Sequence, residues 1–126
     1  MADLAAEVGG SFRPGDIVLL FGELGAGKTT FVRGYLESIG HHGPVRSPTF
    51  NLVQMFATVP PVVHVDLYRV VSAFGLGLED TAESHVTLVE WPDRLGRLLD
   101  PEECWTVTIA VTDSGRRVAV RPPQGR

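Results

Sequence analysis

"GELGAGKTT", Gly22 to Thr30, follows the apolar run "DIVLLF" (Asp16 to Phe21) and precedes "FVRGYLESIG" (Phe31 to Gly40). The pattern is Gly22, four residues, then Gly27, Lys28 and Thr29, set between a predicted strand and a predicted helix. Glycine lets the backbone curl tightly and present successive N–H groups to phosphate oxygens without side-chain clashes. The helix start adds unpaired donors and the positive end of its dipole. The loop and first helical turn (Glu23, Leu24, Gly25, Ala26, Gly27 and Thr30) would then line a nucleotide's phosphates. Lys28 would reach the β/γ-phosphates and the Thr29 hydroxyl would ligate magnesium. A chance match in a chain of this length arises on the order of once in a few hundred sequences. The flanking strand and helix make chance rarer still.

Working outward, "MADLAAEV" is a short helix candidate, and Phe31, Val32, Tyr35, Leu36 and Ile39 carry the spacing of one helix face over Thr29 to Ile39. Gly40 is the expected helix stop. "HHGPVRSPTF" reads as a loop, "NLVQMFAT" as a strand, and "PVVHVDLYR" and "HVTLVEW" as buried strands. "CWTVTIAVTDSGRRVAVRPP" reads as a hairpin, two β-branched runs joined across "DSGR". The fold expected is one α/β domain over residues 1–126, a mixed sheet with a parallel core at the glycine loop and an antiparallel C-terminal hairpin.

Composition narrows the function. The chain has 126 residues, 44% hydrophobic and 21% charged, as in a folded globular domain and unlike a disordered one. Its apolar runs are too short to span a bilayer, and "MADLAAEVGG" lacks the basic head and long apolar stretch of a secretory signal. Cys104 is the one cysteine, which excludes an internal disulfide and fits a reducing cytoplasm. The net charge of -4 speaks against a general polyanion binder. Among eleven basic residues only Lys28 is a lysine. A GTPase's Asn-Lys-x-Asp guanine motif is therefore absent, because the single lysine is spent in the glycine loop.

Magnesium on a phosphate is usually held partly through an acid on a neighbouring strand. Asp66, after "VVHV", and Glu90, after "VTLV", both have that form, and spacing does not rank them. The structural alternative for each is a strand-end acid paired with an arginine such as Arg69 or Arg94. In "PVRSPTFNL", Thr49 sits where nucleotide switches keep a γ-phosphate-sensing loop, or else merely completes a proline-rich turn. His64 reads as a core histidine, His41 and His42 as solvated, and Cys104 as a small buried side chain.

Four blocks, "GELGAGKTTFVRGYL", "VRSPTFNLV", "HVDLYR" and "LVEWPDRL", stand here in the order of the bacterial TsaE family, which they resemble from about Pro14 to Leu95. The resemblance implies a small P-loop ATPase, using ATP and magnesium, that supports threonylcarbamoyl modification of adenosine 37 in tRNAs reading ANN codons. It implies a TsaB–TsaD-type heterodimer as partner, with tRNA reached through that complex and no stable nucleic-acid binding by the chain alone. The only basic cluster, Arg116, Arg117 and Arg121, is thin. Residue by residue, the resemblance keeps Lys28 and Thr29 in their phosphate and magnesium roles and makes Thr49 the switch threonine. Glu90 resembles the magnesium-side acid and Asp66 the second essential acid, which positions water or senses the switch. Trp91 is similar to a tryptophan near the nucleotide, against the plainer reading of a core anchor. Arg116 is carried to the base or ribose side, against an exposed hairpin arginine. Members of the family carry a strand and loop ahead of the first helix, whereas this chain starts at Met1 inside the matching helix, and "VVSAFGLGLEDTAES" departs from the pattern. The rival classes are a nucleotide-dependent binding module without catalysis and a small-molecule kinase, for which "RLGRLL" would supply lid arginines.

Overall fold

The computed structural model describes residues 1–23, 25–45, 53–67, 82–95 and 100–125. Strands β3 (Val62–Asp66) and β4 (Val86–Glu90) are buried along their whole length. That is the behaviour of β-branched runs covered on both faces in a parallel sheet. β1 (Ile17–Phe21) lies between β4 and β5 (Trp105–Thr112) and runs parallel to both. β3 joins β4 in parallel, while β2 (Val53–Phe56) and β6 (Gly115–Arg121) close the two edges antiparallel. The strand order is β2-β3-β4-β1-β5-β6, the mixed sheet with a parallel core and a C-terminal hairpin that the sequence predicts.

Side chains alternate between two apolar layers, because successive residues of a strand face opposite ways. Val18, Leu20, Leu88 and Val107 join Phe31 and Tyr35 in one cluster. Leu19, Val63, Val65, Leu67, Val89 and Cys104 form the other. The first cluster is covered by helices α1 (Ala2–Gly9) and α2 (Lys28–Ser38). The two helices cross closely, and glycine is the reason. A Cβ on Gly9 would stand 2.1 Å from Tyr35 Cδ1, and one on Gly34 would stand 2.9 Å from Ala2 Cα.

The end of α2 follows from Gly40, which takes φ +98. Its N–H donates to Glu37 O and the N–H of His41 donates to Leu36 O, 3.1 and 2.9 Å, so two orphan carbonyls are satisfied by a left-handed glycine stop. Two short 3₁₀ turns, Pro92–Leu95 and Pro101–Glu103, are additions to the expected elements. Asp100 caps the second by accepting from the N–H of Glu102 at 3.0 Å. Among the described residues no helix is long and apolar enough to cross a membrane.

Candidate phosphate-loop site

The chain leaves β1 at Phe21 and turns through the glycine loop into α2. Gly22 has φ +154, and a Cβ there would lie 2.7 Å from Ile109 O on β5, so this glycine is required by the neighbouring strand's backbone. Gly25 and Gly27 take φ +80 and +116, conformations that side chains resist. The loop closes through Ala26 N–H on Glu23 O at 3.0 Å, and α2 begins with Phe31 N–H on Gly27 O at 2.9 Å. Among the described residues no side chain caps α2, which suits its first-turn donors to an anion. From the hairpin, Arg116 Nε donates to Ala26 O at 2.7 Å and braces the loop from outside.

Lys28 is only 4% exposed. Its Nζ donates to Gly22 O at 2.6 Å and stands 3.4 Å from the centroid of the Trp91 ring. Burial pulls the ammonium's pKa below its ordinary value, opposed by the charges of Glu90, Asp66 and Asp93. The cation thus sits in a pocket where an incoming anion meets a poorly hydrated charge. Trp91 has φ +60, alone among the described non-glycine residues in the left-handed region. That conformation costs about 1–2 kcal/mol, and such strain gathers at functional sites. Phe21, Gly22, Glu23, Lys28, Trp91 and Asp93 help line an open cleft of about 460 Å³.

The parallel register pairs Asp66 with Glu90 at the carboxyl ends of β3 and β4. In an open parallel sheet that edge is where ligands bind. Both acids are buried, at 7% and 3% exposed. Thr29 Oγ1, in the first turn of α2, shares its hydrogen between Glu90 Oε1 and Oε2 at 3.1 and 3.0 Å. His64 Nε2 lies 2.6 Å from Glu90 Oε2. A hydroxyl and a carboxylate side by side are hard oxygen donors, the kind magnesium takes from a protein when phosphates and water complete its shell. Among the described residues no group of three or more His, Cys, Asp or Glu gathers as a cage, which magnesium at a phosphate does not need.

The fold therefore brings together Lys28, Thr29, Asp66, Glu90 and Trp91 beside the loop residues Glu23, Gly25, Ala26 and Gly27. Thr30 lies exposed in the first turn of α2. Arg116 is an exposed hairpin arginine, and its Nε is also bonded to the loop's backbone. Trp91 combines its two readings: it faces Lys28 and also packs on the second apolar cluster. Leu24, Thr49 and Arg69, and the departing stretch as far as residue 81, lie outside the described residues, as does the side chain of Arg94. Among the described residues, Glu90 is partnered by Thr29 and His64. His64 and Asp93 were missed as site residues. The signal for His64 was present in "VVHVD": two residues before Asp66, it shares that residue's face of the strand.

The comparisons with known proteins come to the same place. The model of the family described as threonylcarbamoyl adenosine biosynthesis protein TsaE matches residues 1–119. The chain is similar to the tRNA threonylcarbamoyladenosine biosynthesis protein TsaE of Rickettsia felis, 38% identical over 120 residues, covering 91% of this chain and 70% of that one. It is 37% identical over 109 residues to the protein of that name from Bacillus subtilis, covering 84% and 69%. It is 41% identical over 98 residues to the one from Streptomyces coelicolor, covering 72% and 66%. The crystal structure of Bacillus subtilis YdiB superposes with a TM-score of 0.75 at 32% identity, covering 93% of this chain and 74% of that one.

Proposed function

This chain belongs to the TsaE family of threonylcarbamoyl adenosine biosynthesis proteins, and from that premise we propose that it binds ATP with magnesium and hydrolyses it slowly. That activity serves a TsaB–TsaD-type heterodimer that modifies adenosine 37 of tRNA. The observation that carries the reading is the Thr29–Glu90 contact across α2 and β4, made beside a buried Lys28 and in register with Asp66.

Each residue has a task in this reading, supported for Lys28, Thr29, Asp66, Glu90 and Trp91 by their surroundings and for Thr49 by the resemblance alone. The N–H groups of the loop and of the first turn of α2 bind phosphate oxygens. Lys28 contributes a charge that burial has already stripped of much of its water. Thr29 and Glu90 hold magnesium, which neutralises phosphate charge and orients the terminal group. Asp66 orients the attacking water and accepts its proton. Thr49 senses the γ-phosphate, and Trp91 keeps the lysine in place until phosphate arrives. Because the net charge is -4, tRNA is reached through the partner complex and not by the chain alone.

The test measures ATP affinity and phosphate release, with and without the heterodimer. Lys28→Ala should lose at least tenfold in ATP affinity while its circular dichroism stays that of the parent. Unchanged affinity in the folded variant would overturn the site. Binding without phosphate release, even with the partner present, would leave a nucleotide-gated docking module in place of an ATPase.

A further inference from the structure

Resting on the reading of Glu90 as the magnesium-side acid, we propose that His64 is a positioning residue: it fixes the Glu90 carboxylate in the orientation that receives the cation with Thr29. Four observations carry it. His64 is 0% exposed in the middle of β3, among Val62, Val63 and Val65. Its Nε2 stands 2.6 Å from Glu90 Oε2, a short, charge-assisted contact. Its Nδ1 is buried and has no hydrogen-bond partner among the described residues. Glu90 Oε2 also accepts from Thr29, the other oxygen donor of the site.

A carboxylate only accepts, so Nε2 carries the hydrogen of this contact. An imidazole placed in this strand for packing alone would bury polar atoms that a valine or leucine would not, and such atoms weaken a core unless bonded. Among the described residues, the one bond His64 makes goes to Glu90. The parallel register makes that bond possible: Asp66 pairs with Glu90 and His64 with Leu88, which sets the imidazole diagonal to the carboxylate on one face of the sheet. Glu90 offers about four lone-pair positions on two oxygens. His64 and Thr29 meet at Oε2, and among the described residues Oε1 accepts from Thr29 alone. The imidazole thereby anchors one oxygen and leaves the other side of the carboxylate to the cation. Partners of this kind behind a metal ligand commonly set metal affinity by 10–100-fold.

The experiment uses the full chain loaded with a non-hydrolysable ATP analogue and titrated with Mn²⁺, read by electron paramagnetic resonance. Nucleotide affinity is measured separately in EDTA. A glutamine amide nitrogen can reach the position of Nε2, whereas an asparagine amide stops near Nδ1. His64→Asn and His64→Leu should raise the Mn²⁺ Kd at least tenfold, and His64→Gln should stay within about threefold of the parent. Nucleotide affinity in EDTA should be the same in all. If the leucine variant does not fold, the asparagine–glutamine pair, both polar and differing by one methylene, decides. Parental Mn²⁺ affinity in His64→Asn, a glutamine variant as weak as the asparagine one, or a parallel loss of nucleotide affinity in EDTA would each overturn the assignment. A parent chain that binds nucleotide yet takes up no Mn²⁺ would overturn the magnesium role of Glu90 itself, a result distinct from any failure confined to His64.

Discussion

Asp66 and Glu90 stand side by side at the ends of two parallel strands, yet only Glu90 meets the Thr29 hydroxyl. The two acids should therefore fail differently. Glu90→Gln removes the charge that complements a cation, so Mg²⁺-dependent nucleotide binding should weaken roughly tenfold or more. Asp66→Asn should change that binding less than threefold and lower phosphate release at least tenfold. Calorimetry with and without Mg²⁺, alongside a phosphate assay, separates them; equal defects confined to thermal stability would make both mere strand-end acids. Tyr35 offers a second test at this scale. Its hydroxyl is buried without a hydrogen-bond partner among the described residues, and burial together with the Asp16 charge pushes its pKa up to about 12. A raised phenol pKa means the folded state holds the proton longer than the unfolded one. Its contribution is present below pH 10 and is lost as pH climbs through 12, on the order of 2–3 kcal/mol. Tyr35→Phe should leave stability at pH 7 unchanged or slightly higher and flatten the fall between pH 10 and 12, as read by urea denaturation.

Helix α2 is legible in the sequence because its signals are local. The apolar spacing of Phe31, Val32, Tyr35 and Leu36 and the stop at Gly40 are properties of neighbouring residues. The close crossing with α1 was not legible, since Gly9 and Gly34 look like ordinary helix-weakening glycines until the other helix is seen. This separates two kinds of glycine. Gly40→Ala meets open space but must adopt φ +98, so backbone strain of about 1–2 kcal/mol is its whole cost. Gly9→Ala is free of such strain and gains helix propensity, yet its methyl collides with the Tyr35 ring, which is fixed in the core. A net loss of about 1–3 kcal/mol is expected from overpacking. Urea denaturation of both variants, and of Gly9→Ala combined with Tyr35→Leu, tests the account. Relief of the Gly9 defect by the smaller side chain is the expected outcome.

At the scale of the molecule, a hydrogen bond from Arg116 Nε to Ala26 O ties the C-terminal hairpin to the phosphate loop. A net hydrogen bond of about 0.5–1.5 kcal/mol, spent on holding a loop, corresponds to roughly 2–10-fold in ligand affinity. Arg116→Ala should weaken nucleotide binding by that factor, while urea stability changes by less than about 1 kcal/mol. Arg116→Lys should not restore it, because an ammonium lacks the guanidinium's directed Nε donor.

What the sequence determined by itself was whatever depends on residues near one another along the chain. The strand–loop–helix of the glycine loop, the buried runs of β3 and β4 and the terminal hairpin all follow from local pattern, and so does the candidacy of Lys28, Thr29, Asp66 and Glu90. Tertiary structure decided the matters that turn on register and approach. Glu90 and Asp66 were equals by spacing until parallel pairing and α2 set Thr29 against one of them. His64 is the core histidine that its strand predicts, and the partner it meets depends on what the adjacent strand delivers. Gly22 reads as a phosphate-loop glycine and is also required by Ile109 on β5, and the exposed Arg116 also grips Ala26. Those contacts join residues up to 90 positions apart, and no periodicity in a sequence encodes the few ångströms between them.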